Sequence, residues 1–178
     1  GIAALATRAG WLAHGLNLVN PNPVIRDRAI DYAARTIMMA APVDAAVIVS
    51  SWVGADYEFL DQTFAANWLS EGLSVLADFG EKNGVKILFE PMSRGGMEDA
   101  RIIDRGRHLV EFVGSSNLGL AAKQTQLTGS DSVAGVEYIR YVAHDGIRGH
   151  ERHLEFASLL TLLDCTNFSG TLVAECLP

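Results

Sequence analysis

Six apolar runs of strand length alternate with helical patterns along this chain, and no two strand runs follow one another directly. The runs are Gly15–Val19, Ala45–Ser50, Val85–Glu90, Leu118–Ala122, Ile139–His144 and Thr171–Glu175. Ala45-Ala-Val-Ile-Val is apolar at consecutive positions, as strands covered on both faces are. Between the runs, apolar residues recur at helical spacing over Val24–Met39, Gln62–Lys82, Asp99–Val113 and Leu154–Leu163. A shorter helix opens with Ser130 or Asp131 as its N-cap. Ile2–Ala9 is expected to be a further helix, closed by Gly10. Such alternation implies βαβ units with right-handed crossovers and a parallel sheet. It fits either an open doubly wound sheet or part of a (β/α)8 barrel. Glu90, Lys123, His144-Asp145 and Glu175 all fall at or just past strand ends. A barrel builds its site from several strand ends at once, whereas an open sheet uses mainly one switch point. The expectation is one α/β domain over residues 1–178 with six parallel strands, and the spread of polar residues over several strand ends leans toward the barrel.

Composition narrows the function. The 178 residues carry 14 Lys and Arg against 21 Asp and Glu, a formal charge of −7. A general nucleic-acid binder needs a basic surface, so nucleic acid is not an expected partner. The basic residues Arg94, Arg101, Arg105, Arg107 and His108 are interleaved with Glu98, Asp99, Asp104 and Glu111, which reads as a solvated helix face. No apolar stretch is long enough for a membrane span. Cys165 and Cys176 form no CxxC pair and no zinc-ribbon spacing, which suits two thiols in a reducing cytoplasm. Phosphate-binding glycine loops, a nucleophile elbow and an HExxH motif are all missing from the sequence.

Four segments carry a resemblance. Leu88-Phe-Glu-Pro-Met-Ser-Arg94 resembles the Leu-Glu-Pro-Leu-Asn-Arg segment of xylose-isomerase-like TIM barrels, the sugar phosphate isomerase/epimerase superfamily. Asp145-Gly-Ile-Arg148 through His153-Leu-Glu-Phe156 is similar to that family's Asp-x-x-Arg…Gly-His-x-Asp-Phe segment. Phe168-Ser-Gly-Thr-Leu-Val-Ala-Glu175 is similar to its Tyr-x-Gly-x-(apolar)3-Glu strand, and Arg26-Asp-Arg-Ala-Ile30 to its Arg-x-x-Ala-Ile helix. The resemblance implies that the six strands are the third to eighth of a barrel, with two βα units missing before them. An incomplete barrel has two edges, expected at Leu16–Leu18 and Thr171–Glu175. They would pair with a second copy or with an N-terminal segment.

The resemblance also implies a chemistry. The family moves a proton at a carbon beside a carbonyl in a sugar or polyol, using two glutamates around a divalent metal (Mn, Mg, Co or Zn). Glu90 and Glu175 match the two glutamates, as catalytic groups or metal ligands. The expected aspartate ligand falls on Lys123, the histidine three residues later on Gln126, and the histidine ligand on Val142. His144 lies two residues past Val142, on the same side of a strand, and is a substitute ligand or a loop-bonded histidine. Lys123 is either an exposed lysine or an ammonium that offsets two carboxylates deprived of their cation. Arg94, Arg148, His153 and Trp52 match or suit substrate-contacting positions, each with an ordinary packing or loop role as the alternative. The fold without the chemistry, as a non-catalytic sugar-binding or structural module, is the rival reading.

Overall fold

The computed structural model describes residues 1–52, 62–92, 101–143 and 149–176. The described elements run β1 (Ala4–Ala6), α1 (Arg8–His14), α2 (Pro23–Ala40), β2 (Ala46–Trp52), α3 (Gln62–Lys82), β3 (Ile87–Met92), α4 (Ile102–Val113), β4 (Leu118–Lys123), α5 (Ser130–Val133), β5 (Val136–Ala143), α6 (Gly149–Cys165) and β6 (Thr171–Cys176). The strands form one six-stranded sheet in the order of the chain, and each neighbouring pair is parallel. The sheet is a curled half-barrel, as the alternation of strands and helices predicts.

Two apolar layers fix which way each strand faces. On the outer face Val47, Val49, Ile87, Phe89, Leu118, Leu120 and Ile139 pack against the helices, with Leu73, Leu76 and Ile37 among their buried companions. On the inner face Ile48, Leu88, Ala121 and Tyr138 form a smaller cluster, with Ala4, Ala46 and Val173 against it. Residues one step further along the same faces end up at the carboxyl rim, since side chains alternate along a strand.

The first strand departs from expectation. Gly15–Val19 is not a strand, and the sheet begins instead at Ala4–Ala6, inside the stretch expected to be helical. Leu16, Leu18 and Val19 are apolar because they are buried in the helix layer, not because they pair. Leu18 lies against Gly72 of α3. Three residues, Ala4, Leu5 and Ala6, suffice for β1, which pairs with Ala46, Val47 and Ile48. Gly10 lies within α1, where a side chain would collide with the Tyr32 ring, and the left-handed C-cap is Gly15 at φ 62°. The expected edge at Leu16–Leu18 is thus an edge at Ala4–Ala6.

Smaller corrections follow the same logic. The α5 N-cap is Gly129 rather than Ser130 or Asp131. Ser132 closes that turn, with its hydroxyl donating to the Gly129 carbonyl. Arg107 is more than a solvated charge: its guanidinium donates to Asp104 and to the carbonyls of Ala134 and Asp131, tying α4 to the α5 segment.

Close contact between α4 and the rim of β3 is set by Gly106, where an added Cβ would lie 2.8 Å from Pro91 Cγ and 3.0 Å from Leu120 Cδ1. Alanine there would gain about 1 kcal/mol of helix propensity. Overpacking against a proline ring and a buried leucine costs about 1–3 kcal/mol. Gly106→Ala should therefore lower stability, by about 1 kcal/mol net, read as a lower urea midpoint at unchanged m-value. A raised midpoint would mean that α4 moves outward freely.

Candidate active site at the carboxyl rim

Glu90 is the buried charge of the inner face. It sits in β3 one inward step beyond Leu88 and is 3% exposed. Its parallel partner in β2 is Ser50. The Ser50 hydroxyl donates to Glu90 Oε2 at 2.6 Å. The other carboxylate oxygen accepts from Arg140 Nη2 at 2.7 Å. Arg140 comes from β5, and its side chain is 17% exposed against 4% for Glu90. Three strands thus meet on one carboxylate. A buried carboxylate demands such partners, because an unpaired one would be strongly disfavoured.

Gln126 braces the rim beside this centre. Its amide donates from Nε2 to the Pro91 carbonyl at 2.9 Å, and its Oε1 accepts from the Lys123 backbone N–H at 2.8 Å. The side chain is buried. Gln126→Leu would remove both bonds, at about 0.5–1.5 kcal/mol each. The expected result is a lowered melting temperature, and a Gln126→Leu protein as stable as the parent would show that water replaces the amide.

The sequence-derived residues divide as follows. Glu90 is in the inner row, and Lys123 ends β4, half-buried, with Arg140 as its register partner. The cation in contact with Glu90 is Arg140, a residue the sequence reading did not select. Glu175 pairs by register with Val142 near the end of β6, two residues past the inner-face Val173. Trp52 pairs with Met92 at the end of β2, and His153 lies in α6. The side chains of Glu175, Trp52, Val142 and His153 lie outside the described residues, as do Arg94, His144 and Arg148 entirely. One signal for Arg140 was present: a two-residue step back from Val142 reaches it on the same face.

A family model for xylose isomerase-like TIM barrels matches residues 1–177. The chain belongs to this family. A comparison with curated proteins found no match. Among solved structures, this xylose isomerase-like barrel is similar to an AP endonuclease, family 2, from Brucella melitensis, at TM-score 0.74 and 17% identity over 99% of this chain and 72% of that one. It is similar to D-psicose 3-epimerase with D-tagatose from Clostridium cellulolyticum H10, at TM-score 0.66 and 16% identity over 89% of this chain and 60% of that one. It is also similar to the protein IolI with a bound zinc atom, at TM-score 0.68 and 16% identity over 97% and 66%. The chain thus spans about three fifths to three quarters of the length of these structures. At such identities the likeness is one of fold.

The family implies a divalent metal at this rim; of the residues expected to hold it Glu90 is described, while His144 and the Glu175 side chain lie outside the described residues. Among the described residues, no three His, Cys, Asp or Glu side chains gather to hold an ion. Glu90 has both oxygens engaged, one by a cation. The position expected to supply an aspartate supplies Lys123. Among the described residues no helix is long and apolar enough to cross a membrane.

Proposed function

We propose that this xylose isomerase-like barrel acts on a sugar or sugar phosphate as an isomerase or epimerase. Glu90 and Glu175 would transfer the proton at a carbon beside a carbonyl. The observation that carries the reading is Glu90, a buried carboxylate on the inner face at the carboxyl rim, where this architecture places its chemistry. In the step, one glutamate as carboxylate takes the proton from the carbon. The C–H electron pair forms a carbon–carbon double bond as the carbonyl becomes an enediolate oxygen. The other glutamate, as carboxylic acid, returns a proton to carbon or oxygen. Ser50 and Arg140 use two of the roughly four acceptor positions of the Glu90 carboxylate, which leaves it able to bond a ligand hydroxyl. Arg148, Arg94, His153 and Trp52 are the proposed substrate contacts. On this proposal the protein is cytoplasmic and takes no nucleic acid, in keeping with its charge of −7. The outer strands β1 and β6 would meet a second copy or a further segment.

The second reading, a non-catalytic sugar-binding module, is favoured by the same ion pair, because a carboxylate held by Arg140 and Ser50 is also a stable structural element. One experiment separates the two. The protein is incubated with ketohexoses and their phosphates in D2O, and loss of the proton signal beside the carbonyl is followed by NMR. Exchange above the uncatalysed background supports the isomerase reading. Ligand binding by saturation transfer without exchange supports the module.

A further inference from the structure

We infer that Arg140 supplies at Glu90 the positive charge that a divalent cation supplies in a metal-bearing barrel, so that this centre is built to work without a metal at Glu90. The inference deepens the proposed function of the same rim, but it rests on that reading only for the identity of the ligand. Its basis is the geometry of one carboxylate. Arg140 Nη2 lies 2.7 Å from Oε1, and the Ser50 hydroxyl lies 2.6 Å from Oε2. A metal bound to Oε1 would be held within about 5 Å of a permanent cation, given metal–oxygen distances of about 2.0–2.2 Å. Arg140 cannot release its proton to relieve that repulsion. Nor can the guanidinium swing away without loss, since it and Glu90 are largely buried and each satisfies the other. The neighbouring strand compounds the charge: Lys123 of β4, where the family pattern has an acidic ligand, is the register partner of Arg140. Two cationic residue types thus stand on adjacent strands at the height where a metal site needs donors.

Arg140 is on this account a positioning residue. Its planar fork fixes the orientation of the Glu90 carboxylate at Oε1, opposite the Ser50 bond at Oε2. A metal would offer the same charge but would demand additional acidic ligands to complete its shell.

The test uses Mn2+ alone, followed by the electron paramagnetic resonance signal of the free ion. Titrated into the purified wild-type protein, Mn2+ should give the signal it gives in buffer, and elemental analysis of the protein as purified should find no stoichiometric divalent metal. Stoichiometric loss of the free-ion signal with wild-type protein, relieved in Glu90→Gln, would overturn the inference, and this arm needs no Arg140 variant to fold. Arg140→Gln combined with Lys123→Asp, checked for a cooperative melt, removes the cation and restores the acidic ligand, and should deplete the signal where Lys123→Asp alone does not. A folded double variant that leaves Mn2+ free would overturn Arg140 as the excluding group. Sugar exchange is read separately: a wild-type protein that sequesters Mn2+ and exchanges sugar protons overturns only the metal inference, and one that does neither overturns only the isomerase reading.

Discussion

Glu90→Gln and Glu175→Gln should each slow solvent-proton exchange at the carbon beside a ketose carbonyl by about 10²–10⁴-fold, the range for losing a positioned acid or base. Glutamine keeps the size of the side chain and an oxygen that still accepts from Arg140, while its NH2 can donate to the Ser50 hydroxyl oxygen, so the shape of the Glu90 site survives. What is lost is a group that takes up and gives back a proton. The NMR exchange assay described above provides the measurement, with a thermal melt in parallel to separate lost chemistry from lost fold. A Glu175→Gln protein that exchanges at the parental rate would remove Glu175 from the reaction and favour a single-carboxylate site or the non-catalytic module.

Arg140→Met should cost about 3–5 kcal/mol of stability, the toll for stranding one member of a buried pair. Methionine fills much of the volume of the arginine stem, so the loss reports the charge rather than a cavity. The companion pair Lys86–Glu137, at 3.2 Å with side chains 35% and 47% exposed, provides the contrast. Lys86→Met should change stability by no more than about 1 kcal/mol, since water screens an exposed pair. Combining Glu90→Gln with Arg140→Met should recover a large part of the single-variant loss, because the stranded charge goes with it. Denaturant melts of the four proteins check this. Equal small losses at Arg140 and Lys86 would mean that Glu90 finds water when its partner is removed.

The alternation of apolar runs made the architecture legible, and Val47, Val49, Ile87 and Phe89 are buried on the helix side as that pattern requires. Gly15–Val19 misled because a buried loop and a buried strand use the same residues: Leu16 and Leu18 have the apolar character of a strand without its pairing. Glu90 was legible from its place at a strand end and from the motif around it. Arg140 was not. Counted in steps of two from Val136, which faces the helices, Arg140 falls on the helix side, where a guanidinium has no partner. The structure breaks that count with a register shift between Leu120 and Ala121, whose partners are Val136 and Tyr138. Glu137 is passed over, and every later residue of β5 changes face.

That irregularity determines which length changes the gene can accept. Glu137 stands over Gly119, the β4 residue whose missing side chain leaves it room. Deleting Glu137 would regularise the strand and leave Arg140 opposite Lys123, so the loss of a single codon there should leave the ion pair in place. Inserting a codon between Tyr138 and Arg140 would turn the guanidinium into the layer of Ile139, Tyr141 and Phe156 and leave Glu90 without its cation. Within one strand, the sequence accepts a deletion on one side of Tyr138 and is closed to an insertion on the other.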